Sequence, residues 1–205
     1  MKTLEQLDRQ PRSVAVDIFI VELPAKKGDD QEKRPDSKDF SGTINDVAER
    51  LASMVKKGQV AGFKRIQLTT PEGQPGLQDL SERKQFVVGG SVLRNGLISR
   101  HLARRKVGTL LKVTPRITAD RSVMLTLNVE DARARDAVIP WVRVDEKGNP
   151  FFITQLIHSW LIGKISVASG QAVLAKDAKV ASKEGESETL IIVGASVIEP
   201  EAKAK

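Results

Sequence analysis

Residues 107–131 read VGTLLKVTPRITADRSVMLTLNVED, and the alternation within them decides the fold class. Thr109, Leu111 and Val113 share one parity, while Leu110, Lys112, Thr114 and Arg116 share the other, as side chains on a strand must. After the polar TADRS, Val123, Leu125, Leu127 and Val129 alternate with Ser122, Met124, Thr126 and Asn128. The pattern predicts two antiparallel strands over 107 to 130 joined by a short turn. One face is apolar; the other carries Lys112, Arg116 and Asn128 and suits water or a lumen.

Upstream, RSVAVDIFIVEL (12–23) is rich in β-branched residues at period two and is read as a strand that Pro24 ends. The segment PAKKGDDQEKRPDSKD has basic and acidic residues in equal number and no apolar anchor beyond alanine, so a charged loop is expected over 24–39. In GTINDVAERLASMVKKG, Ile44, Val47, Leu51, Met54 and Val55 recur at helical spacing, Thr43 is placed to cap the start and Gly58 the end. An amphipathic helix over 44 to 57 follows. KRIQLTT reads as a strand, PEGQPG as a turn, and a second short strand comes after it. Residues 91–106, SVLRNGLISRHLARRK, are ambiguous: Asn95-Gly96 reads as a turn and ISRHLARRK as either a helix or an irregular basic loop.

Downstream, DEKGNP is turn-rich, and FFITQLIHSWLIGKISVA (151–168) is apolar on both parities, so cover on both faces is expected. The run 151–162, with Trp160 and nearby Trp141, is read first as a buried central strand; the alternative is a lipid-facing or interfacial strand, where tryptophan is favoured. SGQAVLA gives a short strand, KDAKVASKEGESE a polar connection, and TLIIVGASVI a final strand. The expected class is mainly β (α+β), an antiparallel sheet domain with one amphipathic helix. The expected organisation is a flexible lead over 1–11, one domain over 12–199 and a disordered tail over 200–205.

The 205 residues are 40% hydrophobic, enough for a core, and aromatics make up only 4% with no tyrosine. The absence of cysteine removes disulfides, thiolate catalysis and cysteine-based zinc sites. His101 and His158 are the only histidines, which leaves a histidine-dependent triad just two bases to choose from. No 18-residue uncharged apolar run occurs, so a membrane role would need strands. Met1–Gln10 lacks the apolar stretch of a secretory signal. The expectation is a non-enzymatic chain with no cofactor, no metal and no small-molecule substrate.

The net charge of +7 is concentrated in Arg94, Arg100, Arg104, Arg105, Lys106, Lys112 and Arg116, a stretch without Asp or Glu. Arg94, Arg100, Arg104, Arg105 and Lys106 form the candidate partner-binding patch, suited to phosphates, anionic lipid or an acidic protein. No interleaved aromatics and no helix-turn-helix, zinc-finger or RNP pattern accompany it, so a solvated loop or an oligomer contact outranks nucleic acid. Ser53 and Lys56 match S-x-x-K, but S-D-N and K-T-G companions are missing and the match is set aside. His158, among apolar residues, reads as a satisfied core histidine. Gly89-Gly90 and Gly194 match no phosphate loop, and the acidic GDDQEK does not have EF-hand spacing.

In their order, these segments resemble the C-terminal secretin domain, found in bacterial type II and III secretion system proteins. RSVAVDIFIVEL is similar to that family's opening strand. The helix followed by KRIQLTTPEGQPGLQDLSERKQFVVGG resembles its helix, strand and Gly-Gln turn. VGTLLKVTPRITADRSVMLTLNVED resembles its Val-Gly, alternating strand, Thr-Pro-Arg-Ile, turn and second strand. SVASGQAVLA and ETLIIVGASVI resemble the late Gly-Gln strand and the terminal strand. Secretins also carry a proline-rich Val-Pro…Ile-Pro…Gly…Leu-Phe signature associated with the gate, and KDAKVASKEGESE stands in its place here.

Periodicity alone favours an ordinary two-layer α/β or sandwich domain; the resemblance reverses that order. It implies a homo-oligomer in the cell envelope, with outer-membrane lipid or envelope proteins as partners and protein secretion as the role. It makes Val107, Gly108, Thr114, Pro115 and Arg116 structural markers. The alternatives are a soluble domain of the same fold, with the cytoplasm as the alternative compartment, that binds an acidic partner through 94–116, and, third, a nucleic-acid-binding protein.

Overall fold

Strand β1 (Ser13–Leu23) is the spine of the chain's helix-backed sheet. It pairs antiparallel with β3 (Gly62–Pro71) on one side and β9 (Gly185–Ile198) on the other, so Ile18 faces Ile66 and Val193 across the two ladders. The computed structural model describes residues 12–24, 35–92, 94, 98–143, 150–182 and 185–199. The lead 1–11, most of the 24–39 loop, Asn95-Gly96, residues 145–149, the Trp141 side chain and the tail 200–205 lie outside the described residues.

A strand paired on both sides must also be covered on both faces to bury both parities, and β1 buries both. Phe19, Val21 and Leu23 point one way and Val14, Val16, Ile18 and Ile20 the other, all out of solvent. Asp17 interrupts this apolar strand at 2% exposure. A buried carboxylate needs a charged partner, and Arg65 on β3 supplies it at 2.7 Å while stacking its guanidinium 5.4 Å from the Phe19 ring centre.

Helix α1 (Ile44–Lys56) forms as its sequence predicts: the Thr43 hydroxyl accepts from Asp46 N at 3.2 Å, and Gly58 follows the last turn at φ 70°. Ile44, Val47 and Leu51 bury against Phe19, Val21, Leu190, Ile192 and Ala172. Each contributes about 1.5–3 kcal/mol of apolar burial. Close approach depends on Gly194 of β9, where a Cβ would meet Ile44 Cγ1 at 2.8 Å. Phe40, at the end of a 3-10 turn (Ser37–Phe40), joins the same core, an anchor within the stretch next to the expected loop.

The sheet is completed by β2 (Gly42–Thr43) and β8 (Gln171–Ser182), in the order β2-β8-β9-β1-β3. The polar connection expected at 176–188 is instead strand: Lys176 to Ser182 pair residue by residue with Ile191 to Gly185 after a bulge at Leu174/Lys176. The backbone ladder extends the hairpin whatever the side chains, and polar residues can occupy it.

The second sheet has the order β4-β5-β6-β7, from β4 (Gly76–Val92), β5 (Ile98–Ile117), β6 (Ser122–Arg143) and β7 (Pro150–Ala168). The hairpin predicted at 107–130 is its centre, with Leu111, Val113, Val123, Leu125, Leu127 and Val129 buried and Lys112, Arg116 and Met124 exposed. The short strand expected after PEGQPG is 17 residues long. The basic 98–106 is neither helix nor loop but strand, because β4 and β6 supply its backbone partners on both sides.

Cover on both faces of 151–168 does not hold. Strand β7 ends the sheet, and from residue 158 its even positions are exposed, with Trp160 at 56% and Ile162 at 70%. By compactness the chain divides into one unit of Met1–Gln78, Leu111–Asn128 and Leu161–Lys205, and a second of Asp79–Leu110 and Val129–Trp160.

Candidate interaction surface

Gly108 fixes how closely β4 approaches the hairpin. Its φ is 115°, and a Cβ there would sit 2.4 Å from Leu80 O and 2.7 Å from Ser81 Cα. Only glycine tolerates both the dihedral and the contact. Beside it Val107 is buried. Pro115, also buried, presents its carbonyl to Gly73 N at 2.8 Å. Thr114 is half-buried and Arg116 exposed. The structure thus gives Gly108 and Pro115 definite backbone roles.

Sequence reasoning missed two polar devices. Thr109 (0% exposed) donates its hydroxyl to Asp131 (3% exposed), whose other oxygen receives Arg133 Nε. The available signal was parity, since Asp131 continues the row Val123, Leu125, Leu127 and Val129. Glu72 was also missed. Its Oε1 accepts from Ile117 N at 2.9 Å, its Oε2 pairs with Arg12 at 3.3 Å, and its own N donates to Arg12 O at 2.8 Å.

The basic residues are all on the surface: Arg94, Arg100, Arg104, Arg105, Lys106, Lys112 and Arg116 are exposed. Along β5, Arg100, Leu102, Arg104 and Lys106 share one parity, and Leu102 is 55% exposed between two arginines. Lys106 is committed to Asp79, 3.0 Å away on β4. The Ser81 hydroxyl first, and Lys106 next, hold the Asp79 carboxyl down at about 2. Arg100, Arg104 and Arg105 have no carboxylate partner among the described residues.

A cleft of about 390 Å³ opens within the second unit. Phe86 and Val88 of β4, Arg105 and Lys106 of β5, and Thr154, Leu156 and His158 of β7 line it. His158 is therefore not a core histidine but an exposed one, on the face of β7 whose even positions meet solvent from residue 158 onward. His101 is exposed too, with its Nε2 3.4 Å from the Ser91 hydroxyl. Ser53 and Lys56 lie exposed on α1. Among the described residues no cluster of three His, Asp or Glu side chains could hold a metal, and no helix is long and apolar enough to cross a membrane.

Among the described residues these features define a mainly antiparallel β fold with one α-helix and a long hairpin whose basic side chains face solvent. No protein-family model matches the chain, and no curated protein matches it by sequence. Solved structures do match by shape. The type II secretin GspD of enteropathogenic Escherichia coli aligns over 97% of this chain and 73% of its own at 14% identity, with a TM-score of 0.52. The Klebsiella pneumoniae type II secretion system outer membrane complex of PulD, PulS and the PulC HR domain aligns over 98% of this chain and 42% of its own at 12% identity, with a TM-score of 0.51. The ETEC pilotin-secretin complex AspS-GspD aligns over 98% and 52% at 13% identity, with a TM-score of 0.50. The chain has the secretin-domain fold, in a divergent sequence, and spans about half the length of the latter two.

Proposed function

We propose that the chain is a non-enzymatic structural module that self-associates into, or docks onto, a secretion channel of the bacterial outer membrane. The observation that carries this reading is the four-stranded sheet. Its strands are 17, 20, 22 and 19 residues long, against the roughly 9–11 residues that cross a bilayer. Four strands cannot close a barrel, which takes roughly eight or more. The sheet ends on β4 and β7, whose outer backbone groups need partners. Further copies of the chain would supply them, and exposed Trp160 and Ile162 on β7 suit contact with lipid or a neighbour. In this reading the partners are other copies and envelope proteins or lipid, the compartment is the cell envelope, and the role is protein secretion.

Light scattering on the eluting protein, with and without detergent, tests it. A particle many times the 22.4 kDa of one chain is expected; a strict monomer at high concentration in both conditions overturns the reading.

The exposure of every basic side chain named between Arg94 and Arg116 favours a second reading, a domain of the same fold that binds an acidic partner there. Arg100→Gln with Arg104→Gln would then abolish capture of the acidic partner and leave particle mass unchanged.

A further inference from the structure

We infer that the cleft among β4, β5 and β7 is a binding site for a single-chain amphiphilic anion, an alkyl group carrying a phosphate or carboxylate head. The inference concerns one copy of the chain and stands apart from the assembly reading. The cleft's volume of about 390 Å³ falls in the range, roughly 300–1,000 Å³, that ligand sites occupy. Its wall is divided chemically. Phe86, Val88 and Leu156 offer apolar surface, while Arg105 and His158 bring nitrogen donors from β5 and β7.

Charge selects the ligand's sign. Among the described residues no Asp or Glu lines the cleft, and Lys106 is already matched by Asp79. Arg105 therefore contributes a positive charge without a carboxylate partner among the described residues. Its planar fork can donate to two oxygens of a phosphate or carboxylate at once. A free inorganic anion would leave the apolar wall wet, and a neutral alkyl compound would leave Arg105 unsatisfied by charge. Only a molecule with both parts uses the whole site.

Titration calorimetry on the full chain with monomeric dodecyl phosphate, below its micelle concentration, tests the assignment. Saturable binding is expected, and inorganic phosphate and dodecyl maltoside should each bind at least about tenfold more weakly. Arg105→Gln should weaken dodecyl phosphate about tenfold or more, as should Phe86→Ala, whereas Arg104→Gln, outside the cleft, should not. Equal affinity for dodecyl maltoside overturns the site as an anion site. So does an unchanged affinity in Arg105→Gln, or an equal loss in Arg104→Gln, which would mark diffuse charge attraction. Competition by phosphatidylglycerol vesicles would place the source in a membrane; retained dodecyl phosphate binding without such competition would place it in a free amphiphile. Both results keep the site.

Discussion

Thr109 and Asp131 form a hydrogen bond between two side chains that solvent hardly reaches, one on each arm of the central hairpin. Because burial raises the cost of leaving either group without a partner, such a bond is worth more to stability than an exposed one. Thr109→Val keeps the shape and removes the donor, leaving a buried carboxylate oxygen short of a bond. The expected loss is about 1–3 kcal/mol in denaturant unfolding, with most of it recovered in Thr109→Ser. Equal losses in the two variants would rule out the hydroxyl as the cause.

Gly108→Ala should be far costlier than its size implies. The positive φ alone costs about 1–3 kcal/mol, and the added methyl would collide with the β4 backbone at Leu80 and Ser81. Gly163→Ala, where nothing lies within 4 Å of the new Cβ, is the control and should change stability by less than about 1 kcal/mol. Thermal melts of the pair settle it, and similar melting points would remove Gly108 from the packing account.

Arg65→Ala strands the Asp17 carboxylate inside the sheet. Because Arg65 is itself half-exposed, the expected loss is about 1–3 kcal/mol. Replacing both residues with leucine should cost less than Arg65→Ala alone, since no buried charge then remains. Urea midpoints of the single and double variants give the comparison.

Asp79 is lowered from 3.8 to about 2 in the fold. A carboxyl depressed on folding stabilises the native state above its unfolded value, and that contribution fades as pH falls from near 4 through about 2. Carboxyl carbon NMR shifts should show Asp79 titrating below ordinary aspartates. Ser81→Ala should raise its midpoint more than Lys106→Gln does, since the Ser81 hydroxyl is the larger cause. The reverse order would make the ion pair dominant.

Local pattern carried much of the fold. The hairpin parities and the capped helix were legible because burial at period two or 3.6 leaves its mark on neighbouring residues, and strand 13–23 because a short run of β-branched and apolar residues buried on both faces ends at a proline. Strand at 98–106 and at 176–182 was not legible, because those segments are held by backbone pairing to the neighbouring strands of their sheets and not by apolar alternation of their own side chains. The exposed face of β7 was hidden because 151–168 is apolar on both parities, so nothing in the run marks which face meets solvent. The basic patch could be named from composition, yet its placement on a strand, the partner of Lys106 and the cleft with His158 depend on contacts more than 20 residues apart in the chain. What Pro115 and Gly108 do, one offering a carbonyl and the other making room, depends on Gly73 and on the β4 backbone at Leu80 and Ser81, neighbours that no local pattern names.

Glu72 has a consequence for how the helix-backed unit comes apart. One carboxylate joins the residue just before β1, the turn between β3 and β4, and the turn end of the hairpin's first strand. Those three segments share a single knot, so amide protons in all of them should become exchangeable together when it opens. Loosening there would spread as one event across stretches of chain separated by 60 and 45 residues, whereas each ladder taken alone would fray from its own tip.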